Sequence, residues 1–96
     1  MNSIVEAKVD DFLKSQFRLR PYQRQAVIAQ INELGRMAGY DLDERFAGAG
    51  MGAGPEARVA SRIVARALGE EGSETPDYEI LQEIRGWIRR APGVLA

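Results

Sequence analysis

The chain has 96 residues, of which 45% are hydrophobic and 28% are charged, and its formal net charge at pH 7 is −1. This size and composition predict a single domain over 1–96 with a thin core, and they argue against wholesale disorder. The chain contains no cysteine and no histidine, which excludes disulfides, Cys/His zinc sites, cysteine nucleophiles and histidine acid–base catalysis.

With so few catalytic residue types, we expect neither enzymatic activity nor a cofactor. No apolar run approaches the ~18 residues that a membrane span requires, so we expect no membrane partner. Glu6, Lys8 and Asp10 interrupt the apolar character of the N-terminal stretch, which is not typical of a signal peptide. The expected location is therefore the cytoplasm.

The first predicted helix covers 3–17. Ser3 and Glu6 have the spacing of a capping box, in which each side chain accepts a hydrogen bond from the other residue's backbone N–H. Apolar residues then recur at helical spacing. They are Val5, Val9, Phe12, Leu13 and Phe17. We expect both phenylalanines to lie in the core.

The second predicted helix covers 21–38. Pro21 suits its first position, where the missing N–H leaves no helical bond unmade, and Gly39 is a natural stop. Its apolar stripe consists of Val27, Ile28, Ile31, Leu34 and Ala38. Because the connection between the first two helices is short, we expect them to be antiparallel neighbours.

Glycine occupies every second position from 48 to 54, and no regular helix survives that density of glycine. We predict a flexible loop over 47–54 that separates two helical pairs. The loop has the outline of a phosphate cradle, but it lacks a preceding strand and a Lys-Ser/Thr pair, and Glu56 would repel phosphate. The acidic turn that precedes the glycine-rich loop is predicted to be solvated and not a metal site, because the other ligands of a calcium site are missing. That turn contains Asp41, Asp43 and Glu44.

Two further helices are predicted in the second half of the chain. Pro55 suits the first position of a third helix over 55–68, and Thr75 with Pro76 forms a strong start signal for a fourth over 75–90. The apolar stripe of the fourth consists of Ile80, Leu81, Ile84, Trp87 and Ile88. The predicted fold class is therefore all-α: a small four-helix or three-plus-one bundle, with the glycine-rich loop between two helical pairs.

The helix predicted over 55–68 has an apolar arc that covers about half of its circumference or more, which is wider than two neighbouring helices would cover. We expect it to be the central helix of the bundle. Either other helices of the same chain surround it, or another chain covers the surplus. The second interpretation predicts a homo-oligomer, such as a homodimer, or a complex with another protein.

Three arginines, Arg58, Arg62 and Arg66, form one cationic line along this helix. They are interpreted as a solvated face, as partners of the acidic segment 70–83, or as contacts for an acidic protein or a nucleic-acid backbone. The acids of that segment are Glu70, Glu71, Glu74, Asp77, Glu79 and Glu83. A second cationic cluster, at the end of the fourth helix, consists of Arg85, Arg89 and Arg90.

Trp87 is interpreted as a core residue or, alternatively, as an exposed interface anchor, since tryptophan and arginine dominate binding hot spots. The favoured hypothesis is a small helical protein-binding regulator, inhibitor or adaptor whose partner presents an acidic surface. The predicted partner-binding residues are Arg58, Arg62, Arg66, Arg85, Arg89, Arg90 and Trp87.

The alternative hypothesis is a nucleic-acid-binding accessory protein. It would use Arg18, Arg20 and Arg24 together with the arginines of the third helix. An enzyme is the third hypothesis, and it would need a buried Asp or Glu in a pocket lined by 40–54.

Overall fold

The computed structural model describes residues 3–38, 55–69 and 78–91, and every regular element within these ranges is an α-helix. The helices are α1 (Ser3–Phe17), α2 (Pro21–Ala38), α3 (Pro55–Ala67) and α4 (Tyr78–Arg90). The predicted all-α helical bundle is confirmed. Several predicted features fall outside the described residues: the stop at Gly39, the acidic turn, the glycine-rich loop, the 70–77 part of the acidic segment and the start signal of the fourth helix.

Within the described ranges, no helix combines the length and the apolar character that crossing a membrane requires.

Gln23 caps the N-terminal end of α2. Arg20 precedes the helix and has no side-chain oxygen to accept from the first free N–H groups, and Pro21 occupies the first helical position. The side chain of Gln23 reaches back instead, and its Oε1 accepts a hydrogen bond of 2.8 Å from the backbone N–H of Arg20. This is one half of a capping box, with glutamine in its usual third helical position.

Arg18 ends α1 in the left-handed conformation, with a φ of 53°. Its backbone N–H donates to the carbonyl of Lys14 at 3.1 Å, which is the hydrogen bond of a left-handed helix cap. Gly69 makes the corresponding turn after α3, with a φ of 76° and an N–H that donates to the Arg66 carbonyl at 3.0 Å. Glycine has no Cβ to clash there, whereas any other residue costs about 1–2 kcal/mol.

Replacing Arg18 with glycine is expected to raise the free energy of unfolding by about 0.5–1 kcal/mol. Glycine relieves the left-handed conformation, and this gain exceeds its greater entropy in the unfolded chain. Arg18→Ala is the matched control, because it removes the same side chain and keeps the Cβ. Urea denaturation followed by circular dichroism measures both variants. Equal stability of Arg18→Gly and Arg18→Ala would contradict the expectation.

One apolar core joins all four helices. Its fully or nearly fully buried residues are Val5, Val9, Leu13, Val27, Ile28, Ile31, Val59, Ala60, Ile63, Val64, Ile80, Ile84, Trp87 and Ile88. The two phenylalanines, Phe12 and Phe17, are partly buried against this core and contact each other edge to face, with ring centroids 5.7 Å apart. They therefore line the edge of the core, while the branched aliphatic residues fill its centre.

The wide apolar arc of α3 is covered within the chain. α3 packs against α1, α2 and α4, and Ala57, Val59, Ala60, Ile63, Val64 and Ala65 are all buried. Ser61 is buried as well, and its hydroxyl donates to the carbonyl of Ala57 at 2.9 Å. The surplus arc that motivated the prediction of self-association is thus accounted for by three helices of the same chain.

Candidate partner-binding surface

Two ion pairs hold α3 and α4 side by side. Nη1 of Arg62 lies 3.2 Å from Oε2 of Glu79, and Nη1 of Arg90 lies 3.6 Å from Oε1 of Glu56. The start of α3 therefore lies beside the end of α4, so the two helices run antiparallel. For Arg62, the structure shows the predicted pairing with the acidic 70–83 segment, through Glu79.

The three arginines of α3 differ in their environments. Arg62 is partly exposed and engaged with Glu79. Arg66 is half-buried and takes part in an interaction within the chain. Arg58 is exposed, and no side chain in the described part of the protein forms an ion pair with it. Of the three arginines that the sequence places on one cationic line, only Arg58 is therefore fully exposed.

α4 presents a polar outer face to solvent. At 100° per residue, its members fall within an arc of about 60°, on the side away from the buried isoleucines. They are Tyr78, Gln82, Arg85 and Arg89, all of them exposed. Tyr78 is 70% exposed. Neither Arg85 nor Arg89 has an ion pair with any of the described residues.

We expect Arg58 and the outer face of α4 to lie on the same side of the α3–α4 pair, because both are exposed on adjacent helices. Because Arg62 pairs with Glu79 and Glu56 pairs with Arg90, we expect Arg58 to lie within about one helical turn of Arg89 along the pair. Both arginines point away from the core, on the solvent side of the line where the helices meet. Since packed helix axes are about 8–10 Å apart, we expect the Cα atoms of Arg58 and Arg89 to be separated by about 10 Å. Arg58, Arg85 and Arg89 are called the cationic face below.

Two of the residues predicted to bind a partner make contacts within the chain. Trp87 is 2% exposed and lies in the core, so the core interpretation is confirmed and its assignment as an exposed anchor is corrected. The physical reason is that its position on α4 faces α2 and α3 together with Ile84. Arg90 is exposed, but its ion pair with Glu56 already offsets its charge.

Tyr78 is a member of this surface that the sequence reasoning missed. Its spacing from Gln82, Arg85 and Arg89 places all four on one helical line. That spacing was the available signal, because the buried stripe of α4 excludes these positions.

The chain matches no protein-family model, no curated protein and no solved structure. Among the residues that the structure describes, no group of three or more Asp, Glu, His or Cys side chains is arranged to hold a metal ion. The candidate surface is accordingly defined by its charge and exposure alone.

Arg36 is an arginine whose charge is paired within the fold. Its Nε donates to Oε2 of Glu33 at 3.1 Å, and its Nη2 donates to the second carboxylate oxygen. This hydrogen bonding, with the adjacent positive charge, lowers the pKa of Glu33 and raises the pKa of Arg36. The pair lies on the outside of α2, where its two charges cancel locally.

Arg24 is a structural residue, contrary to its assignment to a nucleic-acid surface. Its Nε donates to Oδ1 of Asp10 on α1 at 2.8 Å, and its Nη1 donates to the carbonyl of Leu19 at 2.7 Å. The side chain is only 13% exposed. Arg24 therefore ties α2 to α1 and to the connection between them, and its charge is not available to a ligand.

Proposed function

We propose that the protein is a small helical regulator, inhibitor or adaptor that binds an acidic protein surface through the cationic face. The observation that carries this proposal is the contrast between these three exposed guanidinium groups, which have no ion pair in the described chain, and the arginines that pair with carboxylates of the same chain. The paired arginines are Arg24, Arg36, Arg62 and Arg90. The cationic face has no such match among the described residues.

Guanidinium groups favour carboxylates as partners. Their planar N–H groups match the two oxygens of a carboxylate, and such charge-assisted hydrogen bonds are about twice as strong as neutral ones. Tyr78 adds an exposed aromatic ring with a hydroxyl to the same helix face, and tyrosine is enriched with arginine at binding hot spots. The combination suits a folded acidic protein surface.

Carboxylates beside the cationic face favour a protein over a nucleic acid. Glu56 and Glu79 lie along the line where α3 and α4 meet, and Glu83 is half-exposed on the same side of α4 as Glu79. Glu56 and Glu79 are paired with arginines, but Glu83 forms no ion pair with the described residues, and a continuous phosphate backbone that passed close to it would be repelled. An acidic protein can place its carboxylates opposite the arginines and neutral groups opposite the glutamates.

Reversing the cationic face is expected to abolish partner binding. In a variant with Arg58, Arg85 and Arg89 all changed to glutamate, a protein captured by the parent chain from lysate of its source cell should no longer be retained. The captured protein is then purified and titrated calorimetrically. The neutral variant, with all three changed to glutamine, should bind about a hundredfold or more weakly, because charged hydrogen bonds contribute ~1.5–3 kcal/mol each.

The matched control changes Arg18 and Arg20 to glutamine, because it removes similar charges from a different part of the surface. This control should retain the partner. Thermal denaturation checks that every variant stays folded, which is expected because the exchanged side chains are exposed and make no ion pair in the described chain. An unchanged affinity of the glutamine variant would contradict the proposal.

A further inference from the structure

A second cationic surface lies at the connection between α1 and α2. Lys14, Arg18 and Arg20 are exposed there, and Tyr22 in the first turn of α2 is 45% exposed. These four residues are called the turn cluster. They fall within residues 14–22, at the end of the α1–α2 pair where the two helices connect, and the cationic face on α3 and α4 does not include them.

No carboxylate of the described chain forms an ion pair with the turn cluster. The sequence has no acid from 12 to 32, and α2 has no acid in its first turn. Asp10 is the acid on α1 that Arg24 reaches, and Arg24 already binds it at 2.8 Å. Asp11 is exposed one turn before Lys14 on α1 but forms no ion pair with it, so Lys14, Arg18 and Arg20 have no carboxylate partner among the described residues.

The fold itself gains nothing from arginine at position 18. The left-handed backbone there favours glycine, and the exposed Arg18 guanidinium makes no hydrogen bond or ion pair with the described chain. Arginine at this position costs stability and contributes positive charge. Neither packing nor helix capping therefore explains why a positively charged side chain occupies position 18.

We propose that the turn cluster binds single-stranded nucleic acid. Lys14, Arg18 and Arg20 contact successive backbone phosphates, and the exposed ring of Tyr22 stacks on an unpaired base. A basic surface with an aromatic side chain is the usual arrangement for single strands, since each base offers a face for stacking. A duplex hides those faces, so it engages the three cations alone. This binding is independent of the proposed protein partner.

The test is fluorescence anisotropy of a short labelled oligothymidylate titrated with the full chain at several salt concentrations. Three phosphate contacts predict a slope of about −2 for the logarithm of the association constant against the logarithm of salt concentration. Arg18→Gln and Arg20→Gln should each reduce the slope by about 0.7. Tyr22→Ala should weaken binding about fivefold or more without changing the slope.

Two controls separate binding from folding. Arg18→Gly should be more stable than the parent chain and yet bind less tightly, which a folding defect cannot produce, while Arg18→Lys should retain binding. The variant with Arg58, Arg85 and Arg89 changed to glutamine should bind the oligonucleotide as the parent does. No anisotropy change at low salt would overturn the proposal. Equal loss in the control variant, or equal binding of a duplex with no effect of Tyr22→Ala, would also overturn it.

Discussion

Replacing Trp87 with alanine is expected to lower the free energy of unfolding by about 3–5 kcal/mol. Trp87 is among the largest side chains that are almost completely buried, and it lies in the cluster that joins α4 to the rest of the core. Its removal leaves a cavity that surrounding aliphatic side chains fill only in part. Because domains of this size are stable by ~5–15 kcal/mol, the variant should be close to unfolding. Urea denaturation followed by circular dichroism measures the loss.

Trp87→Phe is the informative control. The indole Nε1 is buried and has no hydrogen-bond partner among the described residues, and a buried unsatisfied donor costs about 1–3 kcal/mol. Phenylalanine removes this unsatisfied donor, which raises the free energy of unfolding. It also removes some buried volume, which lowers the free energy of unfolding. We expect a loss of about 1 kcal/mol or less. A loss for Trp87→Phe as large as that for Trp87→Ala would show that the indole donor is satisfied in solution.

Replacing Arg24 with alanine is expected to cost about 2–3 kcal/mol. The change removes the Nε–H that donates to the carboxylate of Asp10 and the Nη1–H that donates to the carbonyl of Leu19. The side chain of Asp10 is 41% exposed, so its carboxylate regains water, and the loss comes from the two hydrogen bonds themselves, one of which joins two charged groups and contributes about 1.5–3 kcal/mol. The loss is measured as a shift of the urea midpoint with an unchanged slope.

Arg36→Ala is the control for this prediction, since the pair with Glu33 is exposed, and surface pairs contribute about 0–1 kcal/mol. A double-mutant cycle between Arg24→Ala and Asp10→Ala isolates the contact between the two side chains, for which we expect a coupling of about 1 kcal/mol. Additive effects of the two substitutions would mean that the Leu19 carbonyl accounts for the loss.

Helical periodicity and end signals were sufficient to place the helices along the chain. Local chemistry determines these features: Pro21 and Pro55 open α2 and α3, and Gly69 follows the end of α3. The apolar stripes also indicated which residues would be buried. Such properties depend on neighbours within a few positions, so a single sequence reveals them.

The roles of individual arginines could not be predicted in the same way. Arg62 and Glu79 are brought together only when α3 and α4 lie antiparallel, and the arrangement of helices follows from packing over the whole core. Arg24 lies in the same acid-free stretch of the sequence as Arg18 and Arg20, yet its position on α2 directs its side chain toward Asp10. Left-handed φ at Arg18 was equally hidden, because arginine is not the residue that signals such a turn.

Along α3, only Pro55 at its start and Arg58 are exposed. Substitutions at the buried positions of this helix therefore act on packing, and those at the partly exposed Glu56, Arg62 and Arg66 act on contacts within the chain. At position 58, by contrast, the fold should accept most side chains that suit a helix, from lysine to alanine to glutamate. In a library that randomises α3, selection for folding should accept many residues at position 58, whereas selection for binding should accept few. The two selections differ there because a substitution at position 58 can change recognition without changing the core.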